Sequence, residues 1–90
     1  MEPAYPVILF YKYVPIADPA ALVESQRSLC ITLALKGRLL IASEGINGTL
    51  AGSACEIEKY IAHLRNDARF SDIEIKGSEG DSNTFPKLAV

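Results

Sequence analysis

Ninety residues make one small domain and leave no room for two. Apolar residues form 49% of the chain and charged residues 22%, a globular mixture that excludes disorder over most of the length. Nine Lys and Arg against eleven Asp and Glu give a net charge of −2, which excludes an arm that grips nucleic acid by bulk charge but allows a local basic patch.

The opening Met1-Glu2-Pro3-Ala4-Tyr5-Pro6 carries neither a basic region nor a small-residue cleavage site, so it does not read as a signal peptide. The longest apolar run, Pro6 to Tyr11, is too short to span a bilayer. A cytoplasmic protein with no membrane partner is expected. Cys30 and Cys55 fall in separate elements without a Cys-x-x-Cys spacing. With a single His they complete neither a disulfide framework nor a zinc site, and no metal or cofactor is expected.

In chain order, Val7 to Val14 is β-branched and aromatic and reads as a central strand. Asp18-Pro19 then supplies an N-cap with Pro at the first helical position. The helix is predicted to run to about Leu35, with Leu22, Val23, Leu29, Cys30, Leu33 and Ala34 on one stripe. Gln26 interrupts that stripe, so its amide needs a partner or a place at the core's edge. Gly37 suits the helix stop, with Lys36 at the negative end of the helix.

Arg38 to Ala42 is predicted as a second strand, Ser43-Glu44-Gly45 as a turn, and Ile46 to Ala51 as an antiparallel third strand. Ser53-Ala54-Cys55-Glu56 is a capping box, and Ile57, Tyr60, Ile61 and Leu64 follow the i, i+3, i+4, i+7 template of an amphipathic helix ending at Asn66-Asp67. A fourth strand is expected over about Asp72 to Lys76, a polar loop over Gly77 to Thr84, and another extended segment from Phe85 to Val90. The order β-α-β-β-α-β predicts an α+β, ferredoxin-like fold: a four-stranded antiparallel sheet with two helices on one face and the other face open.

Several chemistries meet this fold and fail on its residues. An acylphosphatase site needs an anion-binding arginine after the first strand, and Val14-Pro15-Ile16-Ala17-Asp18 has none. A metal-carrying domain would place Met-x-Cys-x-x-Cys there, and no such run exists. An RNA-recognition motif stacks bases on aromatics of both central strands. The first strand offers Phe10, Tyr11, Lys12 and Tyr13, but Asn47, Thr49 and Leu50 on the third include no aromatic, and core packing of Phe10 and Tyr11 accounts better for them. Cys55 sits in a helical first turn, which lowers a thiol pKa, but Glu56 and Glu58 oppose a thiolate. Cys30 reads as a core residue and His63 as a surface residue. The Lys36-Gly37-Arg38 corner and the Gly-rich Ser43 to Thr49 segment, with Lys12 and Lys87, offer a grip on phosphate; the simpler reading is a tight hairpin with a bulge.

Phe10-Tyr11-Lys12-Tyr13-Val14, the stretch Leu35-Lys36-Gly37-Arg38-Leu39-Leu40-Ile41-Ala42-Ser43-Glu44-Gly45-Ile46-Asn47-Gly48-Thr49-Leu50, and Phe85-Pro86-Lys87-Leu88 resemble the N-terminal, acylphosphatase-like domain of the rhodanese-containing tRNA uridine hydroxylases. The resemblance covers nearly the whole chain. It implies that residues 1–90 are a single N-terminal accessory domain, that a rhodanese-like domain follows in the parent protein, and that the parent performs oxygen-dependent 5-hydroxylation of wobble uridine in tRNA. The family's active cysteine belongs to the rhodanese domain, and neither Cys30 nor Cys55 lies in the matching motif. The expectation is therefore a non-catalytic module that positions tRNA, with Lys12, Lys36, Arg38 and Lys87 on phosphates and Tyr13 and Asn47 on a base or sugar. The rival expectation is an intramolecular interaction domain that packs on the rhodanese module without touching RNA.

Overall fold

The computed structural model describes residues 5–79 and 87–90. Strand β1 (Pro6–Tyr13) leads into helix α1 (Pro19–Thr32), the hairpin β2 (Lys36–Ala42) and β3 (Gly45–Ala51), helix α2 (Ala54–Asn66), a 3-10 turn (Ala68–Phe70), and strands β4 (Ile75–Glu79) and β5 (Leu88–Ala89). The sheet order is β4-β1-β3-β2-β5. All pairs are antiparallel except β2–β5, which is parallel. The ferredoxin-like arrangement is present, with β5 as a short fifth strand on the β2 edge.

Both helices lie on one face. Leu22, Cys30 and Leu33 from α1 and its C-cap, and Ile57, Tyr60 and Leu64 from α2, join Ile8, Phe10, Leu39 and Leu50 of the sheet in a single apolar cluster. The Gln26 interruption is resolved inside it. Tyr60 Oη donates to Gln26 Oε1 at 2.7 Å, and the Tyr60 ring packs against Phe10 with centroids 5.8 Å apart. Each buried polar group thereby satisfies the other, and the hydroxyl crosses the core from one helix to the other.

Helix α1 ends earlier than its apolar pattern suggests, and not at Gly37. Ala34 takes the left-handed conformation (φ 55°). Leu35 N–H donates to Cys30 O at 2.9 Å and Ala34 N–H to Ile31 O at 3.1 Å, the two bonds of a Schellman motif. Ala34 is consequently exposed while Leu35 drops into the core. Gly37 instead lies in β2 with φ +131°, where a Cβ would sit 2.1 Å from the Thr49 carbonyl oxygen.

The N-terminus of α2 follows the capping signal in part. Ser53 Oγ accepts from Glu56 N–H at 3.4 Å, while the Glu56 carboxylate faces Lys59 at 3.6 Å. Asp18 caps α1 through its backbone carbonyl, with no side-chain cap bond.

The fourth strand starts three residues later than expected. Asp67 caps the 3-10 turn, and Phe70 and Ile73 are buried before the chain becomes extended. Their apolar signal comes from plugging the core beside α2, not from strand alternation. Gly77 to Glu79, expected as loop, belong to β4. The rest of that expected loop, and Phe85 and Pro86 of the expected final segment, lie outside the described residues.

Candidate nucleic-acid interface

Alternation along β1 sends Ile8, Phe10 and Lys12 toward the helices and Leu9, Tyr11 and Tyr13 to the opposite, uncovered face. Tyr11 is 65% exposed and Tyr13 82%. Phe10 is buried as expected; Tyr11 is not, because adjacent strand residues cannot share a face. Glycine at position 48 confirms which of the two goes inside. A Cβ there would stand 2.5 Å from Phe10 Cζ and 2.7 Å from Leu39 Cδ1, so the absent side chain is the space those groups fill.

Register arranges the open face in rows across the strands. Tyr13 aligns with Gly45 and Ala42; Tyr11 with Asn47 and Leu40; Leu9 with Thr49, Arg38 and, on the other side, Lys76; the last row, Val7 with Ala51, Lys36 and Ser78, is closed at its centre, where Val7 and Ala51 are buried. Arg38 and Lys76 thus end one row, three strand spacings or about 14 Å apart. Two depressions flank the tyrosines. One of about 520 Å³ is lined by Leu9, Tyr11, Tyr13, Asn47, Glu74 and Lys76, among others. The other, about 370 Å³, is lined by Tyr11, Tyr13, Glu44 and Asn47 with their neighbours.

Of the six residues singled out from sequence, Tyr13, Asn47, Lys36 and Arg38 share this face. Lys87 stands at its edge, exposed, its carbonyl accepting from Gly37 N–H at 3.1 Å. Lys12 is placed apart from them. Its ammonium reaches under the sheet to the Arg69 carbonyl at 2.8 Å and to the Asp72 carboxylate. That cation holds Asp72 below the usual carboxylate range. Sequence reading did not single out Tyr11, Leu9, Leu40 or Lys76 as surface groups. Strict alternation about a buried Phe10 was the available signal for the first two.

Four of the cations are paired, and of the others Arg65 of α2 donates to the Ile73 carbonyl at 3.3 Å. Among the described residues, Lys12 pairs with Asp72, Arg27 with Glu24, Lys59 with Glu56 and Arg69 with Asp67. Arg69 donates to both Asp67 oxygens and holds that carboxyl low as well. Lys36, Arg38 and Lys76 on the open face, and Lys87 beside it, have no carboxylate partner among the described residues.

The loop after β1 is no anion cradle. The Val14 N–H is used by Glu44 O at 3.0 Å and the Ile16 N–H by Ser43 O at 2.9 Å, so the hairpin turn consumes the donors that an acylphosphatase-type site would present. The β2–β3 ladder runs one-to-one from Lys36↔Ala51 to Ala42↔Gly45, without the expected bulge. Burial raises the Cys30 thiol to about 11, which keeps it protonated, and Cys55 is exposed. No group of three or more His, Cys, Asp or Glu placed to hold a metal occurs among the described residues. No helix among them is long and apolar enough to cross a membrane.

The family model described as UPF0176 acylphosphatase like domain matches residues 5–90. A Bacillus pumilus protein named tRNA uridine(34) hydroxylase is 44% identical over 90 residues, covering all of this chain and 28% of the relative. Proteins of the same name from Staphylococcus carnosus and Corynebacterium diphtheriae are 45% identical over 86 residues and 44% over 84, covering 96% and 93% of this chain and 27% of each relative. The chain therefore spans little more than a quarter of the length of these curated relatives.

Proposed function

Because the chain belongs to the UPF0176 acylphosphatase-like domain family, we propose that it is the accessory, tRNA-positioning domain of an enzyme that 5-hydroxylates wobble uridine in tRNA. The reaction itself is assigned to a rhodanese-like domain elsewhere in the parent protein; the relatives, named tRNA uridine(34) hydroxylases, are long enough to hold further domains, since this chain covers 28% and 27% of them. The observation that carries the reading is the open sheet face, where two exposed tyrosines lie among cations that have no carboxylate partner among the described residues. An exposed cation without a partner is hydrated but not neutralised, so a phosphate gains its full interaction and releases a counterion. Lys36, Arg38 and Lys87 are assigned to phosphates, and Tyr13 and Asn47 to base or sugar. Lys76 joins the phosphate set. Lys12, already committed to Asp72 and the Arg69 carbonyl, is assigned to holding the 3-10 turn against β1.

Titration of an anticodon stem-loop RNA onto the chain tests this. Amide shifts are expected across residues 36 to 49 and along β1 at modest salt. Arg38→Ala should weaken binding and lower the log–log salt slope by about 0.7, the value for one phosphate contact on single-stranded RNA. Lys12→Gln should leave the slope unchanged. Unmoved amides across that hairpin would count against the reading.

One observation favours a second reading. Leu9 and Leu40 are 52% and 60% exposed on the same face, and apolar groups there suit packing on the rhodanese-like module without RNA. Mixing the separately made domains discriminates. Line broadening at Leu9 and Leu40 with the protein module, and none with RNA, supports the interaction domain.

A further inference from the structure

Resting on the RNA reading above, we propose that the open face takes an unpaired stretch of RNA, with single bases laid on Tyr11 and Tyr13, and discriminates against duplex.

The two rings lie with centroids 6.1 Å apart and planes 69° apart, edge to face. They do not form a continuous stack, so each offers its own surface to a separate base. A base can lie on such a ring only with a free π-face. Inside a duplex both faces of every base are covered by neighbours, whereas loops and single strands present them. The tyrosines are also the most exposed aromatics of the sheet, at 65% and 82%, and nothing among the described residues covers them.

Charge placement agrees with bases lying inward, three of the four assigned cations, Lys36, Arg38 and Lys87, lying to one side and Lys76 across the sheet on β4. Arg38 and Lys36 are on β2, two strand spacings or about 10 Å across the sheet from the tyrosines on β1 and one to three rows further along it, and Lys87 stands beside them at the edge. The depressions next to the tyrosines are bordered by Glu44 in one case and by Glu74 with Lys76 in the other. A carboxylate repels phosphate but accepts hydrogen bonds from base N–H groups. A single strand can place its backbone over β2 and its bases over β1 and β3.

The test uses the chain with a short mixed-sequence single-stranded RNA and with a blunt-ended duplex containing the same strand, both at one salt concentration, followed by fluorescence anisotropy. The single strand is expected to bind about tenfold more tightly. Tyr11→Ala and Tyr13→Ala should each weaken single-strand binding by about tenfold, the scale of one lost base–aromatic stack, and leave duplex binding unchanged. Tyr11→Phe, which keeps the ring, should restore affinity. Both positions are exposed, and equal thermal melts establish that the variants fold. Equal affinity for the two RNAs, or alanine variants that bind like the parent chain, overturns this inference while leaving the tRNA-positioning reading intact. Failure to bind either RNA overturns both.

Discussion

The Tyr60–Gln26 hydrogen bond links the two helices through the core, and its energetics follow from burial. Gln26 is 8% exposed and Tyr60 fully buried, with 2.7 Å between the hydroxyl and the amide oxygen. Tyr60→Phe removes the donor and leaves the Gln26 oxygen desolvated without a partner, at a cost of about 1–3 kcal/mol. Gln26→Met strands the hydroxyl at a similar cost. The double variant removes both polar groups at nearly constant volume, so it should lie close to the parent chain. The two penalties are then strongly non-additive, with a coupling about equal to their sum, about 2–6 kcal/mol. A ninety-residue domain holds on the order of 5–13 kcal/mol in total, so each single change is a visible fraction. Urea unfolding followed by circular dichroism reads this directly. For a slope near 1 kcal/mol per molar, each single variant should shift the midpoint down by about 1–3 M, and the double variant should recover most of that. If the double variant loses the sum of the two penalties, the bond is not what satisfies these groups and the reasoning is wrong.

Ala34→Gly should stabilise the domain. It relieves about 1–2 kcal/mol of left-handed strain at an exposed residue and gives back part of that in chain entropy, for a net gain of about 0.5–1 kcal/mol and a Tm rise of about 4 °C. Gly48→Ala should act in the opposite sense by about 1–3 kcal/mol, because the new methyl meets the buried Phe10 ring and Leu39; a crystal structure or Tm unchanged by the substitution would show that the core yields freely there. Acid should weaken the fold through Asp67 and Asp72. Their native carboxyls titrate below the ordinary Asp value of 3.8, so the stabilisation is present above that pH and is lost as pH falls through the lower native values. Melts recorded from pH 5 downward should fall, and Asp72→Asn should make the fall shallower; an identical pH dependence in that variant would separate Asp72 from acid stability.

Much of the element order was legible in the chain because local signals are carried by neighbours in sequence. Ser53 ahead of Ile57, Tyr60, Ile61 and Leu64 specifies a capped amphipathic helix by itself, and the β-branched run before Val14 specifies a strand. The same signals placed Arg38 and Asn47 on one hairpin but left Lys36 at the end of the helix before it, whereas it is the first residue of β2. Alternation also required Phe10 and Tyr11 to point opposite ways, but it left open which one is buried. That choice belongs to register. Phe10 pairs with Gly48, whose missing side chain makes room for the ring, and so Tyr11 and Tyr13 emerge on the open face. Lys12 looked like another surface cation until the fold brought Asp72, sixty positions away, beneath it. The parallel strand β5 likewise depends on a partner, β2, that no local pattern names. Periodicity fixes what each segment can become, while long-range pairing decides which side chain loses its water, and in this protein that decision creates the candidate interface.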